Sequence, residues 1–186
     1  DAIKDRLPEY RQGIEGSYKS SAWMAHEESS DIAGFIRDQA IKNHQNMLYD
    51  GTGKTVQNYT DMIASLKAEG YHVVVLMPHI TVDLAKERNK GRADETGRFV
   101  PDDVVEGAYK VIPTNFWKIA DMADEAVLFD GRDGANPVWR KGVGGPSNEE
   151  EVLDPEFMRD NFPADTRPAS RERVVREAVN RAKSSF

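Results

Sequence analysis

Tyr71–Met77 reads "YHVVVLM", and its five consecutive apolar residues, Val73–Met77, form the longest uninterrupted apolar run of the chain. A Val-rich run that does not alternate with polar residues predicts a strand covered on both faces, the mark of a central strand in a parallel sheet. Such a run is far shorter than the ~18 residues needed to cross a bilayer, so no membrane span or signal peptide is expected. Immediately upstream, Tyr59, Met62, Ile63 and Leu66 recur at helical spacing. Gly70 stands where a left-handed residue would end that helix. Before the helix comes "NMLYDGTGKT", Asn46–Thr55, in which Asn46–Tyr49 predicts a second strand. Earlier still, Ile32, Ile36 and Ala40 line one side of a helix from Ser30 to about Ile41.

Downstream of the Val run, Thr81 can cap a helix through Leu84 and Ala85 to about Asn89, followed by the polar loop "KGRADETGR". Pro101 suits the first turn of a helix, Thr114 the start of another containing Phe116, Trp117 and Ile119. "AVLFD", Ala126–Asp130, predicts a strand, and a short one is expected around Val138. Strands alternating with helices predict an α/β fold with a parallel sheet built from crossovers. Beyond Gly131 the pattern weakens into a glycine-, proline- and acid-rich linker. A charged helix closes the chain at Ser170–Ala182, with Val174, Val175, Ala178 and Ala182 as its apolar stripe. The expected division is a domain over residues 1–145 and a linker with helical extension over 146–186.

With 186 residues, 39% of them hydrophobic, the chain can bury a core. Its 25 basic and 32 acidic side chains give a net charge of −7, against a sequence-independent grip on nucleic acid. Cysteine is absent, which excludes disulfides and thiolate metal sites. A reducing compartment is thereby permitted, and a cytoplasmic location is expected.

Four clusters could carry chemistry. Gly53-Lys54-Thr55 matches the end of a Walker loop, G-x-x-x-x-G-K-[ST], but Leu48 stands where its first glycine should be. Asp50, Gly51 and Thr52 follow a predicted strand and precede a helix, so the turn can admit an anionic or sugar ligand, or Asp50 and Thr55 can merely cap the helix. "HEESSD", His26–Asp31, places carboxylates at a helix start, where they orient a hydroxyl or a metal-bound water, or simply cap. Arg88, Arg92 and Arg98 are spaced across a polar segment, as phosphate-binding guanidinium groups or as ordinary exposed bases. Asp1, with Lys4 and Pro8 after it, would stand at a strand's carboxyl end if a strand precedes it, or be a free first residue.

Taken together, these pieces resemble the zeta toxin family of P-loop kinases, which phosphorylate the amino-sugar of UDP-N-acetylglucosamine. "DAIKDRLPEY" resembles the family segment that begins with the catalytic aspartate, and "HEESSDI" the helix with a substrate-binding glutamate. "YDGTGKT" is similar to the [D/E]-G-T-x-[R/K]-T substrate motif, and "KER" and "TGRFVP" to the segments supplying nucleotide-phosphate arginines. The resemblance spans roughly Asp1–Asp130. It implies a P-loop NTPase-like α/β sheet flanked by helices, with ATP and Mg²⁺ as cofactors. Asp1 is implied as general base, and Asp50, Gly51 and Thr52 as the acceptor-binding loop, with Glu28, rather than Glu27, as the substrate glutamate. Arg88 and Arg98 are implied as the arginines gripping ATP, Arg98 also stabilising the transferring phosphoryl group. An antitoxin partner or larger assembly is implied by the family alone.

The departure is that no Walker loop occurs in the 186 residues. Phosphoryl transfer depends on that backbone cradle and its lysine. The chain as given is therefore expected to be inactive alone, with strand, P-loop and first helix supplied by residues outside it. Two other readings stand beside this one: a non-catalytic kinase-like module of a larger viral or toxin protein, docking through residues 147–186, and a kinase of the same architecture with another acceptor.

Overall fold

The computed structural model describes residues 3–8, 10, 26–96, 99–146 and 148–167, apart from the side chains of Asp5 and His26. Asp1, Arg98 and the expected helix at 170–182 lie outside the described residues. Among the elements whose full span is described, five α-helices flank a four-stranded sheet. In chain order they are α1 (His26–Lys42), α2 (Val56–Ala68), β1 (Val74–His79), α3 (Val82–Thr96), α4 (Asp102–Met122), β2 (Glu125–Asp130), β3 (Asn136–Lys141), β4 (Glu150–Val152) and α5 (Pro155–Asn161). The sheet order is β1-β2-β3-β4.

The Val-rich run forms β1, with β2 parallel beside it, Val75 facing Ala126 and Met77 facing Leu128. Against expectation, β1 is not central and not covered on both faces: among the described residues it is an edge strand, and Val74 and Leu76 are exposed on one face. The α/β class is as expected, but the sheet is mixed: β3 and β4 join antiparallel. A tight return from β2 to β3 permits only antiparallel pairing, because a parallel return needs a crossover of a dozen or more residues. The register shifts between Leu128 and Phe129, opposite Pro137, whose ring nitrogen cannot donate to the ladder.

The core lies between α4, the sheet and α5. Phe116, Trp117 and Ala120 of α4 meet Ala126 and Leu128 of β2, Val138 and Trp139 of β3, and Phe157, Met158 and Phe162. Its rings meet edge to face, Trp117 and Trp139 at 5.2 Å and 90° and Phe116 and Trp139 at 5.4 Å and 82°. Val75 and Met77 pack against it from β1. A smaller cluster joins Leu7 and Tyr10 to Ile32 of α1.

Four expectations are corrected. Asn46–Tyr49 is irregular, not strand, and Leu48 is 94% exposed. Strand pairing needs a neighbour, and among the described residues no strand pairs with this segment or with the second edge of β1. The polar stretch after Asn89 continues α3 to Thr96 instead of forming a loop. α4 is one helix through Pro113, not two. An internal proline costs about 3 kcal/mol, which burial of Asn115, Phe116, Trp117, Ile119 and Ala120 in the following turns offsets. Finally, the stretch read as a linker carries β4 and α5. Asp154 caps α5 by accepting from the Phe157 N–H at 2.9 Å, with Pro155 in the first turn. Residues on both sides of position 145 therefore share one core.

The end of α4 is closed by a side chain from the sheet. The buried Lys141 ammonium donates to the carbonyls of Ala120, Asp121 and Ala123 at 2.7, 3.0 and 2.8 Å. A cation thus meets the negative end of the helix dipole and satisfies carbonyls that have no helical partner. Burial pushes the lysine's pKa below its usual value, while the neighbouring Asp121 and Glu150 pull the other way.

Candidate functional site

A cavity of about 790 Å³ runs alongside β1. The segment from Met47 to Lys54 forms one wall, and Asn89, Arg92 and Val100 stand on another. Tyr59 and Ile63 of α2 and Tyr109 and Phe116 of α4 complete it. The charged side chains on its lining are Arg37, Lys54 and Arg92 against the single carboxylate of Asp50. A chain of net charge −7 thus presents a locally cationic hollow, which favours an anionic ligand. Arg37 is partly committed, since its guanidinium holds Asp38 at 2.8 and 2.9 Å.

The turn at Asp50–Lys54 is shaped by its two glycines. Gly53 has φ of +71°, a left-handed conformation that side chains resist. A Cβ on Gly51 would fall on the Tyr59 hydroxyl, which crosses the turn there. That hydroxyl accepts from the Gly53 N–H at 3.0 Å, and the Tyr59 ring meets Tyr49 edge to face at 6.3 Å. Burial raises the pKa of Tyr59, the Gly53 hydrogen bond opposing it, so the hydroxyl stays protonated near neutral pH. From α4, Asn115 reaches across 62 residues of sequence and donates to the carbonyls of Gly53 and Lys54 at 3.0 and 2.8 Å. Thr52 is exposed, its hydroxyl accepting weakly from the Lys54 N–H at 3.4 Å.

A second asparagine organises the opposite wall. The buried Asn89 donates to the Val100 carbonyl at 2.6 Å and accepts the Val100 N–H at 3.3 Å, binding both backbone groups of one residue as a strand neighbour would. Arg92 also donates to Asn89, at 3.4 Å. Val100 is therefore tied to α3 at the cavity wall.

The remaining candidates separate. Asp50, Gly51 and Thr52 line the cavity together with Arg92. Arg88 is exposed and donates to the carbonyls of Gly131 and Arg132 at 3.2 and 3.0 Å, joining α3 to the loop after β2 outside that lining. Glu28 is exposed in the first turn of α1, also outside it. Asn89, Asn115 and Tyr59 were not legible as site residues. The signal that could have found Asn115 is a poor helix former placed directly before Phe116 and Trp117 in an apolar stripe.

At the carboxyl end of β1, where ligands gather in open α/β sheets, His79 is 7% exposed. It packs against Phe162, Tyr109 and Phe157 at 4.9, 5.7 and 6.0 Å. Burial lowers its pKa, against the raising effects of Asn161 and Asp130, and Arg132 lowers it further. Arg132 in turn grips Asp130 at 2.7 to 3.0 Å and holds that carboxyl below its ordinary value. The folded chain resists protonating His79, so the unfolded chain takes up that proton first. Its contribution to stability is present above the unfolded pKa of about 6.5 and is lost as pH falls from there through the lowered folded value. Urea midpoints at pH 7.5 and 5.5 should thus differ more for the wild type than for His79→Gln; equal differences would exclude His79 as the titrating group.

Among the described residues no helix is long and apolar enough to cross a membrane, and no group of three or more His, Asp or Glu could hold a metal ion. No curated protein and no solved structure matched the chain. The sequence model of one family, described as Zeta toxin, matches residues 1–143. With most of its length so matched and an α/β sheet bearing a cationic hollow beside β1, the chain belongs to the zeta toxin family, whose fold is P-loop NTPase-like and whose function is that of a kinase-like nucleotide-binding protein.

Proposed function

We propose that this chain forms the acceptor side and the arginine-bearing side of an ATP-dependent phosphotransferase acting on a sugar nucleotide such as UDP-N-acetylglucosamine. The observation that carries the reading is that the Asp50–Lys54 turn and the side formed by Asn89, Arg92 and Val100 border one cavity whose lining charge is positive. An acceptor held by the turn and a donor phosphate met by guanidinium groups would share that space. Asp50, Gly51 and Thr52 hold the acceptor, with Glu28 assisting, and Asp1 accepts the proton of its attacking hydroxyl. Arg98 neutralises charge on the phosphoryl group as it moves, whereas Arg88, given the same task by the resemblance, would have to leave the Gly131 and Arg132 carbonyls to share it.

The residues present do not by themselves fit ATP and Mg²⁺. The 186 residues contain no Walker loop, and the described ones contain no acidic cluster for a cation. We place the phosphate cradle on a segment outside these residues. The edge of β1 that has no partner strand among the described residues, flanked by the cavity, supports this reading, because an open strand edge offers hydrogen-bonding groups to another strand. The missing motif equally motivates a second reading, a kinase-shaped module without catalysis.

Transfer of label from γ-labelled ATP to UDP-N-acetylglucosamine, measured with the cradle segment joined to this chain, separates the two. Label in the sugar nucleotide supports the enzyme; binding of both ligands without transfer supports the module. In the active form, Thr52→Val should raise the acceptor KM by about tenfold, the worth of one hydrogen bond in a site built for it. It should leave the KM for ATP unchanged, and an equal rise in both would remove Thr52 from the acceptor loop.

A further inference from the structure

We propose that Asn115 and Tyr59 are positioning residues that clamp the Asp50–Lys54 turn from opposite sides and hold it in the shape that receives the acceptor. The inference rests on the phosphotransfer reading above. Four of the turn's five residues, Asp50, Gly51, Thr52 and Lys54, are exposed, and two of the five are glycines. Left to itself, such a turn would sample many conformations and lose that freedom on binding a ligand.

Gly53, the half-buried residue, has both of its backbone groups engaged. Its N–H goes to the Tyr59 hydroxyl and its carbonyl to the Asn115 amide, which also takes the carbonyl of Lys54. The two holds come from different helices, α2 and α4, so the turn is fixed relative to both walls of the cavity. Neither residue is explained by its own helix. Asparagine is a poor helix former and costly to bury without partners; Asn115 is 8% exposed, and its side-chain amide is satisfied by two carbonyls of the turn. Tyr59 lies across Gly51 so closely that any larger residue there would displace its hydroxyl. Gly51 and Tyr59 thus form a matched pair. Fixing the turn before the ligand arrives removes part of the ordering cost of binding.

The test uses Tyr59→Phe, which keeps the ring and removes the hydroxyl, and Asn115→Asp, which keeps the volume and removes both N–H donors. Amide exchange at Gly53, followed by NMR, should accelerate about tenfold in Tyr59→Phe. In each variant, calorimetric affinity for UDP-N-acetylglucosamine should fall about tenfold while the KM for ATP, measured with the cradle segment joined to the chain, holds, and the double variant should lose less than the product of the two. Unchanged Gly53 exchange in Tyr59→Phe overturns the clamp. Faster exchange with acceptor affinity intact shows a purely structural hold and overturns the positioning role. If the wild type binds no sugar nucleotide, the phosphotransfer reading fails and the acceptor role with it. The exchange measurement then still separates a clamped turn from a free one.

Discussion

Arg98→Ala, in an active chain that includes the phosphate cradle, should lower the rate of phosphoryl transfer by an amount on the order of 10³-fold. Arginines that meet a transferring phosphoryl group act on charge that grows in the transition state, so their removal falls on kcat rather than on ground-state binding. The assignment of Arg98 comes from the resemblance of "TGRFVP" to a phosphate-arginine segment. The structure adds how the neighbouring backbone is held, since Asn89 binds both the N–H and the carbonyl of Val100. Arg92, on the cavity lining, supplies a comparison. Single-turnover rates of the two alanine variants should differ. A loss of less than about threefold for Arg98→Ala, against the 10³-fold expected of such an arginine, would remove it from the mechanism.

A chain ending at residue 145 should fail to unfold cooperatively. It would lack β4 and α5, and with them Phe157, Met158 and Phe162, which are 4, 8 and 3% exposed in the main core. Full burial of each side chain contributes about 1.5–3 kcal/mol, so the loss is on the order of 5–8 kcal/mol. That is comparable with the whole stability of a domain this size, about 5–15 kcal/mol. The damage would spread, because Trp117 and Trp139 pack against the deleted Phe162 or beside it. Tryptophan fluorescence during urea unfolding, measured in a Trp23→Phe background because Trp23 is the third tryptophan of the sequence, reports on those two residues directly. A broad, early transition is the expected result; a sharp one at the wild-type midpoint would mean that the segment after residue 145 adds nothing to the fold.

The Val73–Met77 run was legible as a strand from its β-branched, apolar composition, but that continuity overstated its burial, since Val74 and Leu76 are exposed; "AVLFD" was legible as a strand from the same kind of composition. Asn46–Tyr49 has the composition of a strand yet stays irregular, since composition does not supply a pairing partner. Residues Lys90–Thr96 are helical although they read as loop, because an exposed, polar helix has no apolar stripe to betray it. Pro113 looked like a boundary, but tertiary burial on the turns after it outweighs the lost hydrogen bond. In "NEEEVLDPEF" the acidic run obscured a helix start that Asp154 and Pro155 did signal.

Within the site, the glycine turn was visible in sequence, because Gly51 and Gly53 mark a backbone that side chains would obstruct. Its supports were not. Asn115 and Asn89 act across 62 and 11 residues of sequence respectively, and nothing in local patterning encodes such reach. The arginines were recognised by spacing, yet it is Arg92 rather than Arg88 that lines the cavity. Position along the helix decides this: residues four apart share a face but stand roughly 6 Å apart along the axis, so Arg88 reaches the loop after β2 while Arg92 meets the cavity.

The shared hollow beside β1 is most directly tested by photo-crosslinking with a nucleotide-sugar analogue, followed by mapping of the modified peptides. Labelling of both the Met47–Lys54 segment and the Arg92–Val100 segment, suppressed by excess UDP-N-acetylglucosamine, is the predicted result. Labelling confined to a surface away from both segments, or unaffected by the competitor, would contradict it.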